Sequence, residues 1–293
     1  MDNKWNFEIM TDSAANLSED VIRRYGLTIL SQTYTMDGVE YRGYEKGKDI
    51  SAGPVYKMMR EKKEIRTSLV NAQEAEQEAE QLLRAGKDIL YIGLSSALSG
   101  TFQVVRFTFE ELQEKYPDRQ LAAVDSLSLS LGEGELVLRA AKMREEGFSL
   151  RQTEQWLESN RLCLRQEFTV EDLFYLKRGG RIGTAAAVLG AALQVKPMLR
   201  VDDKGSFAAV GKTRGRKKSL DIMAEQLQEN IMDPREQVIY IMHGDCLSDA
   251  QYLAEGIRQR VKVKEIQIRM LEPVLGSHSG PGTVGQIYWG KHR

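Results

Sequence analysis

Two hydrophobic patterns alternate along the first half of this chain. Asp88-Ile89-Leu90-Tyr91-Ile92-Gly93 and Leu121-Ala122-Ala123-Val124-Asp125 are near-continuous apolar runs, the pattern of strands covered on both faces in a parallel sheet. Phe7-Glu8-Ile9-Met10 predicts another short strand, and residues 27–34 are rich in β-formers. Helical segments lie between these runs. They are 18–25 with Ser18 as N-cap, 71–84 full of Glu, Gln and Ala, 99–116, and 131–146. Such alternation predicts an α/β domain on a parallel sheet.

The pattern changes after residue 160. Residues 194–200 and 206–211 predict two strands joined by the turn Asp202-Asp203-Lys204-Gly205. A helix over 214–229, a strand over 238–242, a helix over 247–260 and a strand over 263–269 follow. The expected organisation is an N-terminal α/β domain, 1–163, and a C-terminal α+β domain, 164–293. No internal repeat or low-complexity linker interrupts the chain.

Three predicted strands end in small polar residues: Thr11-Asp12-Ser13, Ser95-Ser96 and Asp125-Ser126. Ligands bind outside the carboxyl ends of parallel strands, so Asp12, Ser13, Ser95, Ser96, Asp125 and Ser126 are candidate cleft-lining residues. Each also reads as a cap for the following helix, and the sequence leaves both readings open.

The 293 residues permit one large domain or two of ordinary size. With 41 basic and 42 acidic residues the net charge is −1, which draws the chain toward neither nucleic acid nor anionic membrane. Two local basic runs stand out: Lys212, Arg214, Arg216, Lys217, Lys218, and Lys177, Arg178, Arg181. They suit a docking surface for phosphate or an acidic partner, or simply a solvated helix start. Without interleaved aromatics they do not suggest nucleic-acid stacking. Cys163 and Cys246 form no pattern and read as free thiols. The N-terminus lacks a signal pattern. The most apolar stretch, 185–195, is Ala-rich, too short to span a bilayer, and reads as a buried helix. A cytoplasmic protein is expected.

Gly280-Pro281-Gly282-Thr283-Val284-Gly285 matches the dinucleotide fingerprint in letters, but too little chain follows for the required helix, strand and acidic residue. Gly211-Lys212-Thr213 ends like a P-loop, yet the preceding glycine is Gly205, one step out of register. Gly93-Leu94-Ser95-Ser96-Ala97 lacks the last glycine of a nucleophile elbow. A Ser–His hydrolase using His278 remains an alternative. His243, His278 and His292 have no ligand spacing, so no metal is expected. His278 lies in Gly276-Ser277-His278-Ser279-Gly280-Pro281-Gly282, a stretch expected to be too flexible for core and therefore to touch a ligand or anion. Hydroxyls, one imidazole and one guanidinium suit gripping an anionic head group better than breaking a bond.

Several motifs, taken in order, resemble the DegV family over nearly the whole chain. They are Thr11-Asp12-Ser13, Ser95 through Gln103 with its Ser99-Gly100-Thr101, Val124-Asp125-Ser126, Leu176 through Ile182, Lys196-Pro197, Lys212 through Gly215, and His278 through Gly282. The resemblance implies a two-domain α/β protein with a long-chain fatty acid between the domains and the loop around 276–285 returning to that cleft. It implies the acyl-binding subunit of bacterial fatty acid kinase, which is not an enzyme alone and needs no cofactor. The subunit presents the carboxylate to a separate ATP-dependent kinase subunit that makes an acyl phosphate for phospholipid metabolism. Transient membrane contact is compatible with that role. By the same resemblance, Thr67 with adjacent Ser68, Ser99 with Gly100 and Thr101, and His278 with Ser279 surround the carboxylate. Arg181 and Arg214 match arginines of the head-group rim and the kinase encounter. A sensor for another amphipathic ligand is a further alternative. One departure stands out: the family commonly continues Thr-Ser with Gln-Pro-Ser, whereas this chain reads Thr67-Ser68-Leu69-Val70-Asn71. The Ala- and Leu-rich segment 185–193 is a candidate wall for the acyl tail.

Overall fold

A continuous apolar strand must be covered on both faces, and this requirement organises the first half of the chain. The computed structural model describes residues 7–48, 50–182 and 195–293. The segment 185–193, read above as a tunnel wall, lies outside the described residues. Contacts divide the chain into two units. The first takes the described residues up to Thr35, Val39–Ile50 and Thr67–Arg161; the second takes Met36–Gly38, Ser51–Arg66 and those from Leu162 onward.

In the first unit, β1 (Phe7–Asp12), β2 (Thr28–Leu30), β6 (Asp88–Gly93) and β7 (Leu121–Asp125) form a sheet in the order β2-β1-β6-β7. Every neighbouring pair in it is parallel. One face packs on α3 (Ala72–Arg84) and α4 (Thr101–Lys115), where Met10, Ile89 and Tyr91 meet Ala75, Ala79, Leu83, Phe102, Val105 and Leu112. The other carries α5 (Leu131–Glu145) and α6 (Leu150–Asn160). Helix α1 (Glu19–Tyr25) joins β1 to β2. The chain leaves β1 toward β2 on one side and reaches β6 on the other. The topological switch point, where such sheets open a crevice, therefore lies between β1 and β6. Short strands β3 (Thr33–Met36), β4 (Val39–Arg42) and β5 (Ile65–Ser68) form a separate sheet in the order β4-β3-β5.

The second unit contains α2 (Gly53–Arg60) and a six-stranded mixed sheet. Its strands are β8 (Leu164–Thr169), β9 (Val195–Val201), β10 (Phe207–Arg214), β11 (Val238–His243), β12 (Glu265–Met270) and β13 (Val284–Trp289). The order is β10-β9-β8-β13-β11-β12; only β11 and β12 run parallel. Helices α8 (Arg216–Asn230) and α9 (Leu247–Arg260) cover one face through Leu220, Met223, Leu227, Leu253 and Ile257. On the opposite face Phe168 and Leu199 pack with Leu173, Leu176 and Ile182 around α7 (Phe174–Arg178). Helix α10 (Pro273–Ser279) precedes β13.

The structure corrects three sequence expectations. Strand β10 runs on to Arg214 rather than stopping at Gly211, so Arg214 belongs to an edge strand and not to a helix start. The tail after Gly282, from which no element was expected, supplies β13, a central strand of the second sheet. The surroundings of His278 are ordered: it sits in helix α10, whose neighbours are buried.

Helix α5 opens Leu131-Gly132-Glu133-Gly134, two glycines where helix propensity disfavours them. Packing explains the second: a Cβ on Gly134 would stand 2.6 Å from the Ala15 carbonyl oxygen and 3.0 Å from a Leu17 methyl. Gly134→Ala is expected to destabilise the protein by about 1–3 kcal/mol through overpacking. A thermal melt at or above the wild-type midpoint would contradict this packing.

Candidate ligand site

The carboxyl edge of the first sheet is wired by side chains before any ligand is considered. The Asp12 carboxylate accepts the Tyr91 hydroxyl at 2.9 Å, the Leu94 N–H at 3.0 Å and the Ala14 N–H at 3.0 Å. Burial raises its pKa despite these donors. Asp125 accepts the N–H groups of Ser96 at 3.2 Å and Leu127 at 3.0 Å. Ser126 accepts the Ser128 N–H at 3.0 Å, and Ser95 accepts the Ala97 N–H at 3.4 Å. These bonds build turns. Asp12, Ser95 and Ser126 are buried, while Ser96 and Asp125 are partly exposed.

Ser13 belongs to a different cluster, gathered on Thr101 at the start of α4. Thr101 Oγ1 receives the Gln32 amide at 3.3 Å and the Val70 N–H at 3.5 Å, and it lies 3.1 Å from Ser99 Oγ. Ser99 Oγ also accepts the Thr101 N–H at 3.2 Å, satisfying one of the open donors of the helix start. Gln32 is anchored in turn by Ser13, whose Oγ accepts the Gln32 N–H at 3.1 Å. Leu69 lies over Gly100, with a methyl 3.4 Å from where a Cβ would stand. The segment 67–71 is therefore laid against the Ser99-Gly100-Thr101 turn. Asn71 caps α3 by accepting the N–H groups of Gln73 at 2.8 Å and Glu74 at 3.2 Å, so it fills the place of the family's second serine. Thr67 is half-buried, Ser68 exposed and Ser99 half-buried. Sequence reasoning missed Gln32; no motif marks it, because its partners are 19 and 69 positions away.

The second unit holds the other group of candidates. The Glu272 carboxylate caps α10 by accepting the N–H groups of Val274 at 2.7 Å and Leu275 at 2.5 Å. Tyr56 of α2 is fully buried beneath this helix and reaches the Leu271 carbonyl at 3.4 Å. A Cβ on Gly276 would lie 2.8 Å from its ring. The Thr283 hydroxyl sits 2.9 and 2.8 Å from the carbonyls of Ser279 and Gly280, locking the turn into β13. Gly179 lets His278 approach, since a Cβ there would stand 2.6 Å from Nδ1. Burial, with the positive charges of Arg181 and Arg178, pushes the His278 pKa down to about 4. The imidazole is therefore neutral at pH 7. Beside it, the Ser279 hydroxyl is buried and has no hydrogen-bond partner, a costly arrangement that a ligand oxygen would relieve.

Arg181 turns back on the Gly179 carbonyl and is half-buried; Arg214 is exposed at the end of the edge strand β10. His243 is buried, and its Nδ1 accepts the Cys246 N–H at 3.2 Å. Cys163 and Cys246 are free, and burial raises the Cys246 thiol to about 11, unsuited to nucleophilic work. Among the described residues no group of His, Cys, Asp and Glu could hold a metal, and no helix is long and apolar enough to cross a membrane.

Comparison with known proteins agrees with this architecture. The DegV family model, described as an uncharacterised protein of the DegV family, matches residues 6–291. A DegV domain-containing protein of Clostridium perfringens is 40% identical over 284 residues, covering 97% of each chain. A DegV family protein from Thermus thermophilus, solved for its fatty acid binding, is 29% identical. That likeness covers 97% of this chain and 99% of that one, with a TM-score of 0.84. DegV from Bacillus subtilis, a fatty acid binding protein, is 25% identical over 98% of this chain and 100% of its own, with a TM-score of 0.83. The chain belongs to the DegV family.

The depressed His278 pKa fixes a pH dependence. An imidazole whose folded pKa lies below its unfolded value of 6.5 stabilises the fold fully above that value. The contribution is lost as pH falls from 6.5 toward 4. NMR titration of the His278 ring is expected to show a midpoint near 4; an ordinary midpoint would show that the ring is not desolvated.

Proposed function

We propose that this chain is a cytoplasmic fatty-acid-binding protein that buries a long acyl tail and presents its carboxylate to a separate ATP-dependent kinase subunit. In that reaction a carboxylate oxygen attacks the terminal phosphorus of ATP, the bond to the bridging oxygen breaks, and acyl phosphate and ADP leave. The chain itself is not the enzyme. Relatives that bind fatty acids at 29% and 25% identity over nearly the full length support the ligand class. The observation that carries the head-group assignment is the orphaned Ser279 hydroxyl beside a neutral His278.

Physical chemistry fits this division of labour. Each methylene removed from water contributes roughly 0.8 kcal/mol, so about 14 of them offer on the order of 11 kcal/mol before ordering costs. The tail supplies affinity. The head needs partners, because an unpaired buried carboxylate is very costly. Thr67, Ser68, Ser99, Thr101, His278, Ser279 and the backbone at Gly100 are the proposed donors, aided by the positive end of α4. Neutral donors hold the carboxylate while leaving it nucleophilic. Arg181 and Arg214 are assigned to the rim, where they meet phosphate or the acidic face of the kinase. A hydrolase reading is less well supported, since a base titrating near 4 is poorly matched to neutral pH.

Protein purified from bacteria and denatured in the mass spectrometer is expected to release a long-chain fatty acid. No released lipid, and no uptake on incubation, would end this reading. Ser99→Ala and Thr67→Ala should each weaken fatty-acid binding by about 1–3 kcal/mol through a lost charged hydrogen bond. Arg214→Ala should leave lipid binding intact and impair acyl-phosphate formation with the kinase subunit; collapse of lipid binding would contradict the rim assignment.

A further inference from the structure

We infer that the Gln166 amide is a polar station on the path of the acyl tail, and that the protein takes fatty acids with a mid-chain hydroxyl in preference to plain saturated ones. This rests on the fatty-acid reading above and specifies the class of tail.

Gln166 lies on β8, an interior strand of the second sheet, and is 2% exposed. Neither its Nε2 nor its Oε1 has a hydrogen-bond partner among the described residues. Burying a donor and an acceptor without partners is costly. Side chains two apart on a strand share a face, so Gln166 shares the face of Phe168, which belongs to the apolar cluster of Leu199, Leu173 and Leu176. Its paired residue on β13 is Ile287, which is fully buried. The opposite face is the one under α8 and α9, where Glu167 accepts the Gln286 amide at 2.8 Å and the Tyr288 hydroxyl at 3.0 Å. That polar network is out of reach of Gln166, which presents its amide to an apolar layer.

The same layer leads away from the proposed head-group site within the second unit. His278 lies against Gly179 at the end of α7, and the Tyr175 ring fills the space where a Cβ on Gly280 would stand. Leu176 of the same helix then joins the cluster of Phe168. On β8, Thr169 pairs with Val284, just past the turn that follows Ser279. Gln166 is three residues back from Thr169, about 10 Å along the strand. The amide therefore stands beside the body of a long acyl chain whose carboxylate is at Ser279. Ser279 and Gln166 are two buried polar side chains without partners on one route, one suited to the head and one to the tail.

The two free ends of the amide select the chemistry. A methylene leaves both unpaired. A double bond is only a weak acceptor for the N–H and offers Oε1 nothing. A hydroxyl both donates and accepts, so it can take the Nε2 proton and give its own to Oε1.

The test uses the delipidated full chain. Stearate, oleate and a series of monohydroxystearates, with the hydroxyl stepping along the middle of the chain, displace a fluorescent acyl probe. At least one hydroxystearate is expected to bind wild-type protein more tightly than stearate does. Gln166→Met, which keeps the side-chain length and removes both polar ends, should lower that hydroxystearate-to-stearate ratio by about tenfold. The wild-type ranking is a test in itself if the variant does not fold. No hydroxystearate bound more tightly than stearate and oleate, or a ratio unchanged in Gln166→Met, would overturn the inference. Wild-type protein that binds stearate with either result loses this inference alone; wild-type protein that takes up no member of the series removes the fatty-acid reading as well.

Discussion

An anion can leave water only where fixed donors replace its hydration, and the head-group site proposed for the first unit must meet this condition. The backbone at the start of α4 offers unpaired N–H groups, but their directions are useful only if the turn before the helix is held still. Thr101 provides that hold. Its hydroxyl gathers Gln32, Val70 and Ser99, and so ties two distant chain segments to one helix start and its own preceding turn. Asp12 serves the same edge from below, collecting donors from β6, from the loop beyond it and from its own turn. These polar groups are largely spent on one another, which keeps the accessible hydroxyl of Ser99 in one place.

The second unit solves a related problem with packing. Glycines at 179 and 276 exist because other side chains occupy the space a Cβ would need: the imidazole of His278 at one and the ring of Tyr56 at the other. Glu272 anchors the start of α10 and Thr283 its end. A histidine held this way loses access to water and its proton with it. A neutral imidazole and neutral hydroxyls can steady a carboxylate without forming an ion pair that would blunt it as a nucleophile. In the proposed function such a site would hold a reactant for another protein's chemistry.

Much of this was legible in the sequence because it depends on local pattern. The apolar runs at 88–93 and 121–125 could be little other than buried parallel strands, and they are β6 and β7. The helical segments 71–84, 99–116 and 131–146 are α3, α4 and α5. What escaped depends on distant partners. Strand β13 is short and starts in a glycine-rich stretch, so only Ile287, Tyr288 and Trp289, past that stretch, mark it as β-forming. Residues 51–66 carry no motif, yet Tyr56 underlies α10 because of contacts across about 200 positions, as its bond to Leu271 shows. The change from Gln-Pro-Ser to Leu69-Val70-Asn71 looked like a loss, but Asn71 retains the cap and Val70 keeps an N–H that a proline would lack, and that N–H serves Thr101. Gln32 was invisible for the same reason: its role exists only after Ser13 and Thr101 are brought beside it.

In the proposed function an ionised carboxylate is held by neutral donors. Palmitate labelled with carbon-13 at its carboxyl reports this directly when titrated in the complex by NMR. Tight donation should keep the bound head group ionised far below the midpoint of the free acid, with a single sharp bound resonance. A bound carboxyl that titrates like the free acid, or at higher pH, would mean that these hydroxyls do not grip it.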